Sequence, residues 1–218
     1  MSTDPADTEA PLAAAAEEPV YYPVAVPPPE RLDLGPLVLR RWRLEDVDAQ
    51  AAAVARSVTH LTPFMGWAAE ADRQTSVDYL ERSLRQWDAR ETFQYAMVDL
   101  TDDAIAGSCG LMSRVEPGAL EIGYWVSVDH VRRGYATLSS AGLTDAAFGL
   151  PDVDRVEIHH DLANDVSGRV AARLGFTRVG EQAVAATAPG ETGTHVVWSI
   201  ARDAWPASPG RQLLDRTR

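Results

Sequence analysis

Residues 119–137 constrain the fold of this chain more than any other stretch. The half from Leu120 to Val128 is rich in β-branched and aromatic residues, which is typical of a β-strand. The other half contains the segment Arg132 to Thr137, and apolar and small residues at helical spacing follow it. The stretch therefore predicts a strand, a tight basic turn and a helix. Such a turn directs several backbone N–H groups at one point, at the positive end of the helix dipole, so we expect an anion site with phosphate as its usual occupant.

Other interpretations of this turn can be tested on the sequence. The chain has no Gly-Lys-Ser or Gly-Lys-Thr, which excludes a Walker loop, and no Gly-x-Gly-x-x-Gly, which argues against a dinucleotide fold. Arg132 and Arg133 would add charge and bidentate donors at the mouth of an anion site. The alternative is an ordinary strand-turn-helix connection that carries a pair of surface arginines.

The composition narrows the class of protein. The hydrophobic share of 45% in 218 residues is normal for one globular domain with a buried core. The single cysteine, Cys109, rules out an internal disulfide and fits a reducing cytoplasm. No apolar run approaches the length of a membrane span, and the first residues lack the basic start and apolar core of a secretory signal. We therefore expect a cytoplasmic protein without a membrane partner.

The negative charge is concentrated at the N-terminus. Residues 1–30 contain six acids, no arginine and seven prolines, together with an alanine run. This composition predicts a disordered tail, with the alternative that its only apolar patch, Val20 to Val24, lies on the domain. The remaining 26 acids face 20 arginines, so the domain is acidic, which argues against nucleic acid as a partner. We expect a tail at 1–30, one domain at 31–202 and a frayed C-terminal tail at 203–218.

Alternating and helical patterns along the domain predict a mixed α/β fold of about seven strands. Three strands separated by turn clusters, at 93–100, 105–115 and 120–128, indicate an antiparallel meander. The other predicted strands are 37–42, 155–160, 176–181 and 194–200. The predicted helices are 45–56, 72–90, the segment from the basic turn to 150, and 164–174. Residues 57–69 are predicted as a loop or a broken helix, and residues 183–193 as a loop.

A second motif, with the sequence NDVSGRVAARLGF, lies at residues 164–176. It resembles the Asn-x-x-Ser-x-x-Val-Ala-x-x-Leu-Gly-Phe block of the RimJ/RimL-like branch of the GNAT superfamily of acyl-CoA N-acyltransferases, the ribosomal-protein N-terminal acetyltransferase type. The basic turn is similar to the pyrophosphate loop of that superfamily, Gln/Arg-x-x-Gly-x-Gly/Ala. Here Val131 occupies the first position, so one expected phosphate contact is missing. The resemblance covers about residues 36–202.

The resemblance implies an α/β fold in which a mixed sheet carries helices on both faces. Two neighbouring parallel strands in its centre, here 120–128 and 155–160, would splay apart to bind acyl-CoA. The first strand would pair with the pantetheine arm, and the basic turn would hold the pyrophosphate. Asn164 would reach the pantetheine amide or cap the following helix, and the two roles are compatible. The residues that the resemblance places at acetyl-CoA are Val126, Ser127, Val128, Arg132, Arg133, Gly134, Tyr135, Ala136, Thr137 and Asn164.

The implied reaction is direct attack of a primary amine on the thioester, so a base must keep the amine neutral. Glu121 is the first candidate, because it precedes the turn where histone-type members of the superfamily keep a glutamate base. The alternative is that Glu121 is solvated or paired with an arginine. His159 is the second candidate, since histidine titrates near neutrality, and Glu157 shares its strand face. The alternative for His159 is a packed strand histidine.

The leaving thiolate must gain a proton. The tyrosine that many members of the superfamily use as the acid is replaced here by Ala171. Ser167 stands where the RimL-like branch places a serine, and it is the residue that we expect to hydrogen-bond the thiolate. The alternative is a serine on the surface of the first helical turn.

Acceptor residues are expected at 57–69, an apolar segment without helical or strand periodicity. The matching segment of the superfamily borders the acceptor, so we assign Phe64, Met65 and Trp67 to the acceptor pocket, the alternative being that they cap the core. The acceptor is a primary amine, either a protein N-terminus or lysine, or a small molecule such as an amino acid, a polyamine or an aminoglycoside.

The remaining expectations concern metal, assembly and class. His60, His130 and His195 have no partners at ligand spacing, so no metal is expected. The resemblance implies a bacterial, cytoplasmic acetyltransferase that uses acetyl-CoA and acts as a monomer or homodimer. The alternative function is that of an acyl-CoA-binding sensor or partner domain with weak catalysis. Val131 and the missing tyrosine favour the sensor, whereas the complete strand, loop and helix and Glu121 favour the enzyme.

Overall fold

The computed structural model describes residues 20–217 as one open eight-stranded sheet with five α-helices. The strands are β1 Arg31–Leu34, β2 Leu37–Arg41, β3 Thr92–Asp99, β4 Ala104–Met112, β5 Ala119–Val126, β6 Arg155–Asp161, β7 Thr177–Ala183 and β8 Thr194–Ala201. The helices are α1 Val47–Leu61, α2 Arg73–Asp88, α3 Tyr135–Phe148, α4 Asp165–Leu174 and α5 Pro209–Thr217. Within the described residues, no helix is both long enough and apolar enough to cross a bilayer.

The sheet confirms the predicted mixed α/β fold. Its strand order is β1-β2-β3-β4-β5-β6-β8-β7, with a parallel pair only between β5 and β6. All seven predicted strands are present, and the eighth is β1, which forms a short hairpin with β2. β1 comes shortly after a proline run and has four residues. A strand this short shows no alternating pattern by which the sequence could indicate it.

The parallel pair in the centre of the sheet separates early. β5 and β6 are paired only from Ala119 with Arg155 to Ile122 with Ile158. Beyond that point β5 continues along β4 to Val126, and β6 continues along β8. The edge of β5 at 123–126 that faces β6 therefore has no strand partner among residues 20–217. This confirms the predicted splayed pair.

Helices cover both faces of the sheet, as predicted. Side chains alternate between the two faces along β5. Leu120 and Ile122 join a core with α3, α4 and α5, whereas Trp125 joins a second core with α1 and α2. The two faces of the sheet therefore have separate hydrophobic cores.

The segment at 57–69, predicted as a loop or a broken helix, is a broken helix. α1 continues to Leu61, beyond its predicted end at 56, and after a turn a short 3-10 helix covers Gly66–Glu70. Ser57 and Leu61 are buried one turn apart on the face of α1 that meets the sheet. Ser57 Oγ also donates a hydrogen bond to the Ala53 carbonyl, which keeps the hydroxyl satisfied inside the helix.

Residues 20–30 pack against the domain, in agreement with the alternative given for the apolar patch Val20 to Val24, and the predicted disorder is wrong for residues 25–30. Val24 is 6% exposed and belongs to the core. The Tyr22 N–H donates to the Ser113 carbonyl at 2.7 Å, and the Tyr95 hydroxyl donates to the Pro29 carbonyl at 2.8 Å. Because proline has no backbone N–H, this proline-rich segment leaves few backbone donors to satisfy, which suits a segment that lies along a surface. The rest of the predicted tail lies outside the described residues.

The C-terminal segment is also ordered, and the predicted frayed tail at 203–218 is wrong over the described residues. Trp205 and Leu214 are buried in the core that contains α3. Trp205 Nε1 donates to Asp145 Oδ1 at 3.0 Å, and Arg211 pairs with the same carboxylate at 2.6 Å. Pro209 opens α5, a position where its missing N–H costs nothing.

The packing of residues 20–30 can be tested by truncating a buried side chain. Val24→Ala should lower the free energy of unfolding by about 1–3 kcal/mol, because it removes two buried methyl groups from the core. Val26→Ala is the matched control, since Val26 is 46% exposed, and it should change stability by less than about 0.5 kcal/mol. Urea unfolding measures both. Equal effects from the two substitutions would show that this segment does not contribute to the core.

Candidate active site

The predicted anion loop joins β5 to α3. Arg132 and Gly134 both adopt left-handed backbone conformations, with φ of 64° and 80°. The first helical bond runs from the Leu138 N–H to the Gly134 carbonyl at 2.9 Å. The N–H groups of Tyr135 to Thr137 precede it and have no acceptor inside the helix. A Cβ placed on Gly134 would meet nothing within 4 Å, so open space lies in front of these donors.

The two arginines of the loop have different roles. Arg133 Nη1 donates to Asp99 Oδ2 at 2.5 Å, and Arg133 Nη2 donates to the Asp129 carbonyl at 3.4 Å. Arg132 is exposed and makes no hydrogen bond or ion pair with any of residues 20–217. Arg132 is therefore the guanidinium that remains available for an anion, and Arg133 braces the loop.

Asp99 anchors the loop, a position that the sequence does not indicate. It ends β3 with no exposed surface. Burial raises its pKa, but hydrogen bonds from the Thr101 N–H, the Tyr135 hydroxyl and Arg133 outweigh burial and lower the pKa to about 2. Its charge holds the end of β3 against the anion loop. The sequence gives no signal for this role, because an aspartate at a strand end reads as a turn residue.

His130 has acidic neighbours, contrary to the sequence argument against ligand-spaced partners. Its Nε2 lies 3.2 Å from Asp102 Oδ2 and 3.9 Å from Asp99 Oδ2, because the β3–β4 turn folds beside the loop. These three side chains form the one group among the described residues that brings metal-ligating atoms together. Asp99 is already neutralised by Arg133, so the group forms an ion-pair network without a further cation. The absence of a metal remains a prediction.

The backbone that should meet the pantetheine arm is partly occupied. The Val128 N–H donates to Ser57 Oγ at 3.0 Å, and the Ser127 N–H donates to the Ala106 carbonyl at 2.8 Å. Val126 lies on the open edge of β5 described above. The backbone available to an extended ligand is therefore 123–126, which ends before Val128.

The gap where β5 and β6 separate, called the opening below, has α4 on one side. There Tyr124 reaches the predicted Ser167. Asn164 caps α4, and its Oδ1 accepts a hydrogen bond from the Ser167 N–H at 3.3 Å, so the capping alternative holds. The Tyr124 hydroxyl lies 2.7 Å from Ser167 Oγ across the gap. Burial raises the pKa of Tyr124 to about 12, although the hydrogen bond to Ser167 opposes this. The sequence does not indicate Tyr124 at this position, because the tyrosine of the superfamily corresponds to Ala171.

The opposite face of the opening holds the candidate bases. Both oxygens of Glu121 accept hydrogen bonds from Arg114 at 2.8 Å, which is the arginine pairing named above as the alternative. His159 Nε2 lies 2.7 Å from Glu157 Oε2, and its Nδ1 lies 4.0 Å from Glu121 Oε2. Burial raises the pKa of Glu157, but the hydrogen bonds of His159 and Arg155 outweigh it, so the pKa is lowered. The predicted sharing of a strand face by Glu157 and His159 is confirmed.

A cavity of about 410 Å³ lies on this face between α1, α2 and the sheet. Met65 and Trp67 line it, and Trp67 makes an edge-to-face contact with Trp125 at 6.2 Å between ring centroids. Their role in binding an acceptor stays a prediction. Phe64 lies outside the lining. Most of the wall comes from α2 and from the strands, which the sequence analysis does not assign to the acceptor.

The loop between β7 and β8 packs directly over the α1–α2 segment. The Gly190 N–H donates to the Pro63 carbonyl at 2.8 Å. A Cβ on Gly66 would lie 2.2 Å from the Thr187 carbonyl oxygen, so only glycine allows this approach. The contact fixes the position of Met65 and Trp67 at the entrance of the cavity.

Comparison with known proteins places this geometry among acetyltransferases. The acetyltransferase (GNAT) domain family matches residues 36–177. A RimL ribosomal L7/L12 alpha-N-protein acetyltransferase bound to coenzyme A is 21% identical, with a TM-score of 0.73 over 80% of this chain and 99% of that one. Mycobacterium smegmatis RimJ with CoA-disulfide is 21% identical, with a TM-score of 0.74 over 86% and 92%.

A third solved structure differs in what it binds. The microcin C7 self-immunity acetyltransferase MccE, in complex with acetyl-CoA and AMP, is 19% identical, with a TM-score of 0.70 over 76% of this chain and 92% of that one. A search of the curated proteins gives no match. At these identities the solved structures establish the shared fold alone.

The role of Asp99 predicts a specific loss of stability in acid. Its folded-state pKa of about 2 lies below its usual 3.8, so its contribution is complete above about pH 5 and is lost as the pH falls towards 2. The shift corresponds to about 2 kcal/mol. Asp99→Asn should therefore be less stable at pH 7 and should lose less stability than wild type between pH 5 and 2. Urea unfolding across this range measures both slopes.

Asp102→Asn is the control for this experiment, because the Asp102 side chain is 45% exposed and borders the same histidine. It should keep the acid slope of the wild type. If Asp99→Asn also kept that slope, Asp99 would not be the charge that anchors the loop.

Proposed function

The chain belongs to the GNAT acetyltransferase family, and from this premise we propose that it transfers the acetyl group of acetyl-CoA to a primary amine by direct attack. One observation carries the proposal. The open edge of β5 at 123–126 is followed, after a connection that contains the short 3-10 helix Val128–His130, by the N-terminus of α3 at Gly134. An extended arm that ends in a pyrophosphate matches both features at once, because the edge offers strand pairing and the helix start offers N–H donors.

The donor is held by backbone groups and one guanidinium. The pantetheine arm adds to the open edge up to Val126, and the pyrophosphate accepts from the N–H groups of Tyr135 to Thr137 and from Arg132. Asn164 uses its Oδ1 as a cap, which leaves its amide N–H groups for the pantetheine. The bound coenzyme A of the RimL and RimJ structures and the acetyl-CoA of MccE support this donor.

His159 is the better base of the two candidates. Glu121 already gives both of its oxygens to Arg114, so it has little capacity to accept a proton from the amine. Glu157 accepts from the Nε2–H of His159, which leaves the Nδ1 lone pair for the amine. The amine proton passes to Nδ1 as the nitrogen attacks the thioester carbon, and Glu157 stabilises the imidazolium that results.

Tyr124 and Ser167 complete the reaction on the other side of the opening. When the C–S bond breaks, the thiolate needs one proton. A hydroxyl with a pKa of about 12 remains protonated at working pH, so Tyr124 can donate, directly or through Ser167 Oγ at 2.7 Å. The proton taken up by His159 and the proton given by Tyr124 are separate, so the site returns to its starting state by exchange with water.

The acceptor class and the compartment are part of the same proposal. The acceptor is an amine on a protein or on a small molecule, and the protein acts in the cytoplasm without nucleic acid, in keeping with its net charge of −12. The alternative of a non-catalytic acyl-CoA sensor is favoured by the pairing of Glu121 with Arg114. The pair of His159 and Glu157 supplies the base that such a sensor would lack.

Acetyl-CoA should stabilise the protein by about 2.7 kcal/mol at about 100 times its Kd. Gly134→Asp should abolish this gain, because it places a carboxylate where the pyrophosphate binds. Gly180→Asp, at another position open to solvent, is the matched control and should keep it. Thermal unfolding with and without acetyl-CoA measures the effect. The donor assignment fails if the wild type shows neither a shift nor binding by calorimetry.

The choice of base predicts an order of effects on kcat/KM. His159→Gln should lose about 10²- to 10⁴-fold, the usual range for general acid–base catalysis, and Glu121→Gln should lose less. The loss for His159→Gln should shrink as the pH rises, because the neutral amine then forms without help. The pH profile of kcat/KM, measured with an accepted amine, decides between the two. The reverse order would return the role of base to Glu121.

A further inference from the structure

The cavity on the α1–α2 face has an aromatic lining. Its volume of about 410 Å³ falls in the range of small-molecule sites, about 300–1,000 Å³. Its apolar wall includes three aromatic rings and two thioethers, which belong to Trp67, Tyr79, Trp125, Met65 and Met112. Tyr124 also borders the cavity, but its hydroxyl lies on the α4 side of the sheet at Ser167. Aromatic faces and edges pack best against another flat ring, and thioether sulfur also favours aromatic contact.

One polar side chain in this wall has no partner. Gln50 is 3% exposed, lines the cavity, and makes no side-chain hydrogen bond with any of residues 20–217. Ser108, which also lines the cavity, is satisfied, because its hydroxyl donates to the Tyr95 carbonyl at 3.0 Å. A buried amide without a partner is costly, and a ligand with a polar ring edge would relieve that cost.

The charges around the cavity argue against a polycation. Among the described residues, Asp78 and Arg82 are the only charged side chains in the lining, and both are exposed. They lie one turn apart on α2 and carry opposite signs, and Asp78 accepts from Gln74 Nε2 at 2.9 Å. A polyamine or an aminoglycoside needs several carboxylates, which this wall does not contain.

The cavity also offers no strand edge to a peptide. β3, β4 and β5 form its floor and are already paired with one another over their length. The open edge of β5 faces β6 and is assigned above to the donor. A protein N-terminus would therefore lack the backbone partners that usually hold an extended chain.

We propose that the acceptor is a primary amine on a short chain that carries an aromatic or heteroaromatic ring with a hydrogen-bonding edge. The inference rests on the proposed function. The ring lies between the aromatic side chains, and its polar edge bonds to the Gln50 amide. The amine points to Gly123 and Trp125, which line the cavity and belong to the strand segment that meets the donor.

Calorimetry on the coenzyme A complex of the full chain tests the inference directly. The probes are tryptamine, tyramine, phenethylamine, spermidine, kanamycin and an alanine-initiated hexapeptide. The ring amines should bind at least about tenfold more tightly than the other three, a difference of one unit in log Kd. Free-thiol release with acetyl-CoA should follow the same order.

The Gln50→Leu variant separates a recognition role from a structural one. It should weaken tyramine and tryptamine about three- to tenfold, the effect of one neutral hydrogen bond, and leave phenethylamine unchanged because its ring carries no donor. The melting temperature should not fall, since the change removes an unpartnered buried amide. A uniform loss for all three ring amines would overturn the assignment of Gln50.

The remaining outcomes distinguish this inference from the proposed function. If the ring amines do not bind while spermidine, kanamycin or the peptide is acetylated, the acceptor class is wrong and the acetyltransferase proposal stands. If no probe binds although acetyl-CoA still raises the melting temperature, the ring-amine inference is also overturned. Loss of the acetyl-CoA shift itself would overturn both.

Discussion

The early separation of β5 from β6 is the constraint on which the rest of the site depends. Pairing stops at Ile122 and Ile158, and each strand is then held only by its outer neighbour. A sheet interior with an unpaired edge leaves backbone groups that need a partner, so the gap is suited to an extended ligand. The same gap lets Tyr124 cross to Ser167 on one face, while Trp125 lines a cavity on the other. In the proposed reaction, donor and acceptor meet at this gap from opposite faces of the sheet.

Charge pairing decides which groups remain available around this gap. At the phosphate end, Asp99 engages Arg133, so the loop is braced and Arg132 stays unpaired among the described residues. On the acceptor face, Glu121 is neutralised by Arg114, whereas Glu157 engages His159 and leaves one imidazole nitrogen for chemistry. At the loop, Asp99 holds Arg133 and the adjacent Arg132 is left without a partner among the described residues. At β6, Glu157 holds His159, whose second nitrogen makes no hydrogen bond with any of residues 20–217.

Much of the fold follows from local patterns in the chain. The seven longer strands, the helix after the basic turn and the cap at Asn164 all depend on periodicity or on turn chemistry within a few residues. Elements that are ordered only by contact with residues distant in the chain are not indicated by such local patterns. Val24, β1 and α5 carry too few apolar residues to show a pattern, and each is ordered because the core offers a place for it. The candidate site divides in the same way, since Met65 and Trp67 were found from sequence but Gln50 and Tyr79 were not.

The sequence by itself determined the strand, basic turn and helix for which we propose an anion site, the serine motif of α4, and the family to which both belong. Only the tertiary structure decided which side chains are available at that site. Pairing of Glu121 with Arg114, of Arg133 with Asp99 and of Tyr124 with Ser167 joins residues from different elements. Partners that are far apart in the chain leave no periodic trace, because their contact is set by sheet register and helix packing and not by spacing along the sequence.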